Sequence, residues 1–195
     1  FKCENFQKIG AFKFRGGWNT ISSLSGEEAS KGVCTHSSGN HAQSVAYAAM
    51  KRNIPAYIVM PRNAPKVKIQ AVEGYRANIT LCEPTLKARR ETLEKIAKKT
   101  GAYVVHPFNE PKVIAGQGTV GMEISEQFPE NLYAVFVAVG GGGLIAGIGA
   151  YLNKVHPNVK IIGVEAADSA GLHASVKAGK RIKLKEVGLF ADGAA

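Results

Sequence analysis

Lys13 lies between two phenylalanines in the stretch Gly10-Ala11-Phe12-Lys13-Phe14-Arg15-Gly16. A lysine held among aromatic rings is stripped of water. Desolvation disfavours the ammonium, so the amine becomes a usable nucleophile near neutral pH. The same stretch also reads as an amphipathic segment, with Phe12 and Phe14 turned to a core and Lys13 and Arg15 to solvent. Four successive glycines, Gly140, Gly141, Gly142 and Gly143, precede Leu144 and a helical pattern. Their N–H groups can close around an anion, and the helix start adds its positive end, which suits a phosphate; a tight strand-to-helix turn is the plainer alternative. Gly141 and Gly143 with Ala146, and Glu165 at the end of the next strand, also match a dinucleotide fingerprint, which would make the chain an NAD-binding oxidoreductase. The loop Ser37-Ser38-Gly39-Asn40-His41 joins a strand to a helix. Its serines can cap that helix, or its N–H groups can hold a carboxylate while Asn40 reaches a ring hydroxyl.

These residues need elements to position them. Strands are read at 32–35, 55–60, 78–82, 102–105, 133–139 and 160–165, the second an apolar run, PAYIVM. Helical patterns are read at 17–24, 41–52, 64–73, 86–100, 116–128 and 144–155, and Ser25 to Glu28 carries a capping signal for a short turn. Such alternation predicts βαβ units and mainly parallel sheets flanked by helices, an α/β fold. The proline-rich loop 106–111 is the expected hinge between two lobes.

The chain has 25 Lys and Arg against 15 Asp and Glu, a net charge of +10. Its densest basic cluster, 87–99, interleaves glutamates with the period of a solvated helix and offers no aromatic residues for base stacking, so no nucleic-acid partner is expected. No apolar run reaches the roughly 20 residues that span a bilayer, so no membrane partner is expected either. Cys3, Cys34 and Cys82 are far apart and form no metal or disulfide pattern, which points to a reducing, cytoplasmic setting. His36 and His41, five apart, suit no common helical metal pair.

Taken in order, CENFQKIGAFKFRG, THSSGNHAQ, HPFNEPKVIAGQGT and VAVGGGGLIAG resemble the pyridoxal-phosphate enzymes of fold type II, in the threonine dehydratase and serine racemase branch. A dinucleotide enzyme would explain neither the lysine nor the SGNH loop. The resemblance implies two lobes, 1–31 with 109–195 and 32–108, with the cofactor in the cleft between them and further chain at both ends. It implies that Lys13 forms the Schiff base, with Phe12 beside the ring and Asn40 on the cofactor's 3-hydroxyl. Gly140 to Gly143 and the Leu144 amide would take the phosphate. Ser37, Ser38, Gly39, Asn40 and His41 would receive the substrate carboxylate. Ile9 departs from the family, which usually has threonine there.

The implied reaction is β-elimination of L-threonine or L-serine to a 2-oxo acid and ammonia, with Lys13 as anchor and then as Cα base. VEAADSAGLHASVKAG and VGLFADG look like the biosynthetic threonine dehydratases of isoleucine biosynthesis. Ser38 and the opening KCENFQ point instead to a serine racemase or 3-hydroxyaspartate dehydratase, with Lys13 and Ser38 as a two-base pair. A cofactor-binding but idle protein is a further alternative. Glu165 matches a racemase-type Mg²⁺ or Ca²⁺ ligand, but Gly171 stands where an aspartate is expected. A homo-oligomer, dimer or tetramer, is implied.

Overall fold

The fold is described from a computed structural model, which describes residues 1–128, 132–188, 191 and 193. The chain falls into two compact units, Phe1–Gln117 and Gly118–Ala195.

The first unit is built on a four-stranded parallel sheet. Its strands are β1 (Val33–His36), β2 (Ala56–Pro61), β3 (Asn78–Cys82) and β4 (Tyr103–Val104), in the order β3-β2-β1-β4. Successive residues on one strand serve opposite faces. Val33, Ile58 and Met60 pack into one core with helix α3 (Asn40–Arg52), whereas Cys34, Val59 and Cys82 pack into another with Leu93 of α5 (Leu86–Thr100). Both faces of the central strands are therefore buried, which is why β2 reads as an unbroken apolar run. Helix α2 (Gly26–Ser30) starts with the capping box anticipated at Ser25 and Glu28, and α4 (Lys66–Glu73) lies between β2 and β3 in sequence.

Helix α1 (Lys13–Ser22) begins at Lys13, four residues before the expected start, and α6 (Pro111–Gln127) begins five residues early. Glycine masks both starts, because it weakens a helical pattern while serving a packing need. A Cβ on Gly17 would lie 2.1 Å from Ser44 Oγ, and one on Gly116 would lie 2.5 Å from the Arg15 carbonyl. These glycines let α1 pack backbone-close on α3 and α6.

The second unit pairs β5 (Ala134–Ala138) with β6 (Lys160–Val164) in parallel, with α7 (Gly143–Val155) between them in sequence. Val120, Val137, Ile148 and Leu152 form its core. Helix α8 (Gly171–Ala178) was not anticipated. The α/β class holds throughout. Part of VGLFADG, including Leu189, Phe190 and Asp192, lies outside the described residues. Among the described residues, no helix is long and apolar enough to cross a membrane.

Candidate active site

In the first unit, the strand order reverses between β1 and β4, since β2 and β3 extend on one side of β1 and β4 on the other. Open α/β sheets bind ligands at such a switch point, beyond the carboxyl ends of the strands. Ser37 to His41 follow β1 there, and His106 to Glu110 follow β4.

Lys13 is brought to this place as the first residue of α1. Its carbonyl accepts a hydrogen bond from Ser44 Oγ at 2.7 Å, which ties the start of α1 to α3. Its Nζ donates to the Pro107 carbonyl at 2.7 Å and sits 5.2 Å from the centre of the Phe12 ring. Burial pushes the amine down from 10.5 to about 8, because the protein replaces the water that would solvate the ammonium. The two flanking phenylalanines do different jobs. Phe12 lies by the amine, whereas Phe14 stacks on Trp18 at 5.9 Å and meets Tyr47 edge-on at 5.6 Å. Before them, Ile9 and Gly10 take φ of 61° and 71°, a left-handed turn in which a β-branched residue is strained.

Arg15, next on the helix, is held by Glu4. Its Nε and one terminal nitrogen donate to the two carboxylate oxygens at 2.7 and 2.8 Å, with both side chains largely buried. This bidentate pair fastens the opening segment onto α1. Neither Glu4, Ser44 nor Gly17 stood out in the sequence as site support; partners this far apart in sequence leave no periodic signal.

The loop after β1 carries Ser37, Ser38 and Gly39 half-buried and Asn40 exposed. Ser37 N–H donates to the Val59 carbonyl at 3.1 Å, and Ser37 Oγ accepts from Gly39 N–H at 3.3 Å. Gly39 occupies the N-cap of α3, and no side chain caps it. The serine-cap alternative therefore does not describe this loop. The amides at the start of α3 face an end where an anion is stabilised by the helix dipole. His41 is fully buried, and its Nε2 lies 3.0 Å from the Val105 carbonyl, which also accepts from Thr35 Oγ1 at 2.8 Å. A carbonyl only accepts, so the ring proton is on Nε2 and Nδ1 is left a buried acceptor without a partner. Burial drives His41 down from 6.5 to about 3, so the ring is neutral. His36 and His106 are lowered from 6.5 in the same direction, chiefly by burial.

The second unit carries the glycine loop. Gly142 has φ of 82° and is the N-cap of α7, which no side chain caps. Gly143 is buried, and the amides of Gly143 and Leu144 open the helix. Gly142 alone needs the left-handed backbone; Gly140 and Gly141 are exposed and widen the loop.

Glu165 is differently used. Its two carboxylate oxygens accept from the N–H groups of Leu172 and His173, at 2.8 and 2.7 Å. It caps α8 as a strand-end carboxylate bonded to neighbouring backbone. That role competes with both the ribose contact of a dinucleotide site and the metal role considered for it. Among the described residues no cluster of three His, Cys, Asp or Glu could hold a metal ion.

Taken unit by unit, the buried amine of lowered pKa in the first is chemically suited to an aldehyde, and the glycine-rich helix start without a capping side chain in the second is suited to a phosphate. The fold is of the parallel α/β class in both units. The profile described as "Pyridoxal-phosphate dependent enzyme" matches residues 1–195, and the chain belongs to this family.

The chain is 47% identical over 193 residues to a beta-hydroxyaspartate dehydratase of Paracoccus denitrificans, covering 99% of this chain and 61% of that protein. It is 46% identical over 195 residues to the mitochondrial threonine dehydratase of Schizosaccharomyces pombe, covering 100% of this chain and 32% of that one. The solved maize serine racemase superposes with a TM-score of 0.96 at 43% identity, covering 98% of this chain and 58% of that one. The chain thus spans less than two thirds of the length of these proteins. The resemblance to the threonine dehydratase and serine racemase branch holds along nearly the whole chain, and the dinucleotide alternative falls.

Proposed function

We propose that the protein is a pyridoxal-phosphate-dependent ammonia-lyase that converts L-threonine, L-serine or both to a 2-oxo acid and ammonia. The observation that carries this reading is the Lys13 amine, held from water with its pKa near 8 and its Nζ on the Pro107 carbonyl. When bound, pyridoxal phosphate supplies an aldehyde that takes amines and a ring that withdraws electron density from Cα.

Lys13 would hold the cofactor and, once released by the incoming amino acid, take the proton from its Cα at Nζ. Near pH 8 the amine exists in both protonation states, as a base that must accept and then surrender a proton requires. Phe12 would exclude water beside it. The amides of Ser37 to His41 would orient the substrate carboxylate, Asn40 would take the cofactor's 3-hydroxyl, and the Gly140–Gly143 loop with the Leu144 amide would take its phosphate. The same reading keeps the lobe division 1–31 with 109–195 and 32–108, a homo-oligomer, and a cytoplasmic setting. The free thiols of Cys3, Cys34 and Cys82 are compatible with that setting. No role for Mg²⁺ or Ca²⁺ at Glu165 is part of it.

A second reading is favoured by Ser38. It lies half-buried in a loop whose helix no serine caps, free for another task. As a base on the opposite face from Lys13 it would make the protein a serine racemase, and the 3-hydroxyaspartate reaction would use the same residues. Incubation of the full-length protein with pyridoxal phosphate in D₂O separates these readings, with products followed by NMR and chiral chromatography. Rapid 2-oxobutanoate from L-threonine without D-serine is the expected result. D-serine carrying deuterium at Cα would replace the lyase by a racemase, and turnover confined to 3-hydroxyaspartate would replace its substrate.

A further inference from the structure

The turn that receives the Lys13 amine is tied down by a buried carboxylate. Glu110 is 8% exposed. Tyr103 Oη donates to its Oε1 at 2.8 Å, and the His106 N–H donates to its Oε2 at 3.1 Å. Its own carbonyl accepts the first hydrogen bond of α6, from Ile114 N–H at 2.9 Å. Between these anchors, His106 Nδ1 accepts the N–H groups of Phe108 at 3.3 Å and Asn109 at 2.9 Å. Residues on both sides of Pro107 are thus fixed, and proline adds its restricted φ. Within that turn the Pro107 carbonyl accepts from Lys13 Nζ at 2.7 Å.

An ordinary residue before a helix is Ser, Thr, Asp or Asn, bonding forward to the first helical amides. Glu110 instead spends both oxygens on groups that precede the helix. Burying a carboxylate costs free energy that a surface cap would not incur, so its placement calls for a use. We infer that Glu110 is a positioning residue for Lys13: it locks the 106–110 turn so that the Pro107 carbonyl receives the lysine amine and water stays out. That carbonyl can take neither a proton nor a covalent bond. It gives the amine a resting place whenever Nζ is not joined to cofactor.

The inference rests on Lys13 being the cofactor lysine, yet it can be read without cofactor. His41 from α3 and His106 from the turn both feel the charge of Lys13, and both are lowered mainly by burial. Desolvation is the cause that lowers Lys13, so a loosened turn admits water and returns the amine toward 10.5.

The test uses the full-length apoprotein and its Glu110→Ala, Glu110→Gln and Tyr103→Phe variants. The rate at which Lys13 is acylated by a small amine reagent is followed against pH by peptide mass spectrometry. Capture of added pyridoxal phosphate is followed by its visible absorbance. In Glu110→Ala, acylation at neutral pH is expected to fall about tenfold, the effect of one pKa unit. Glu110→Gln, which keeps one acceptor, should recover part of that loss, and Tyr103→Phe should give a smaller shift in the same direction. A folded Glu110→Ala with unchanged Lys13 titration and capture would overturn the inference. If Glu110→Ala does not fold, unchanged titration in both other variants overturns it equally. Wild-type protein that titrates Lys13 near pH 8 but captures no cofactor would refute the lysine's cofactor role and leave the positioning role standing.

Discussion

Lys13 donates to the Pro107 carbonyl whether or not it is charged, but only its neutral amine can attack. Burial settles the balance by bringing its pKa to about 8. Only the free amine is nucleophilic, so the rate of cofactor capture by the apoprotein should rise with pH and level off above about 8. Stopped-flow absorbance checks this, and a flat profile would contradict it. Replacing Lys13 by alanine should abolish covalent capture and lower turnover by about 10²–10⁴-fold, the usual contribution of a positioned base. His41 makes a stability prediction. Its folded pKa of about 3 lies below the ordinary 6.5, so the unfolded chain binds the proton more readily between those values. The stability this gives is complete above 6.5 and is lost as pH falls toward 3. Urea midpoints at pH 7.5 and pH 5 should therefore differ less in His41→Gln, whose amide can still donate to Val105, than in wild type.

At the scale of elements, α1 is aimed by contacts that tolerate no side chain. A Cβ on Gly116 would also lie 2.7 Å from the Gly16 Cα, so the opposing atoms are backbone and cannot swing aside. Gly116→Ala should destabilise the protein by about 1–3 kcal/mol, seen as a lowered thermal midpoint. The charged helix α5 and the strand β3 are legible residue for residue, because helical period and polar–apolar alternation are local signals. The starts of α1 and α6 are not, because Gly16, Gly17 and Gly116 answer to partners such as Gln117, Ser44 and Arg15, far from them along the chain. The candidate site divides in the same way. Lysine, serine loop and glycine loop announce themselves by type and spacing. Glu110, Tyr103 and the orphan Nδ1 of His41 emerge only when β1 and β4 are placed side by side.

At the scale of the whole molecule, the two units differ in how completely they bury apolar surface. The first encloses a four-stranded sheet between helices on both faces. In the second, Tyr133, Phe136 and Val164 lie 70%, 69% and 48% exposed around a sheet of two strands. Two strands with so much apolar surface in water are marginal alone. Expressed separately, 1–117 should unfold in urea with a sharp cooperative transition and 118–195 without one; equal cooperativity would contradict this. Net charge of +10 suits the anionic cofactor and substrate without selecting either, so composition could not name the reaction. The central claim is more specific than charge or fold. It is that one lysine of this chain carries the cofactor. Borohydride reduction of the full-length holoprotein, followed by digestion and mass spectrometry, fixes the cofactor to whichever amine holds it. The phosphopyridoxyl group is expected on Lys13 alone. Its appearance on another lysine, or on none, would contradict the account.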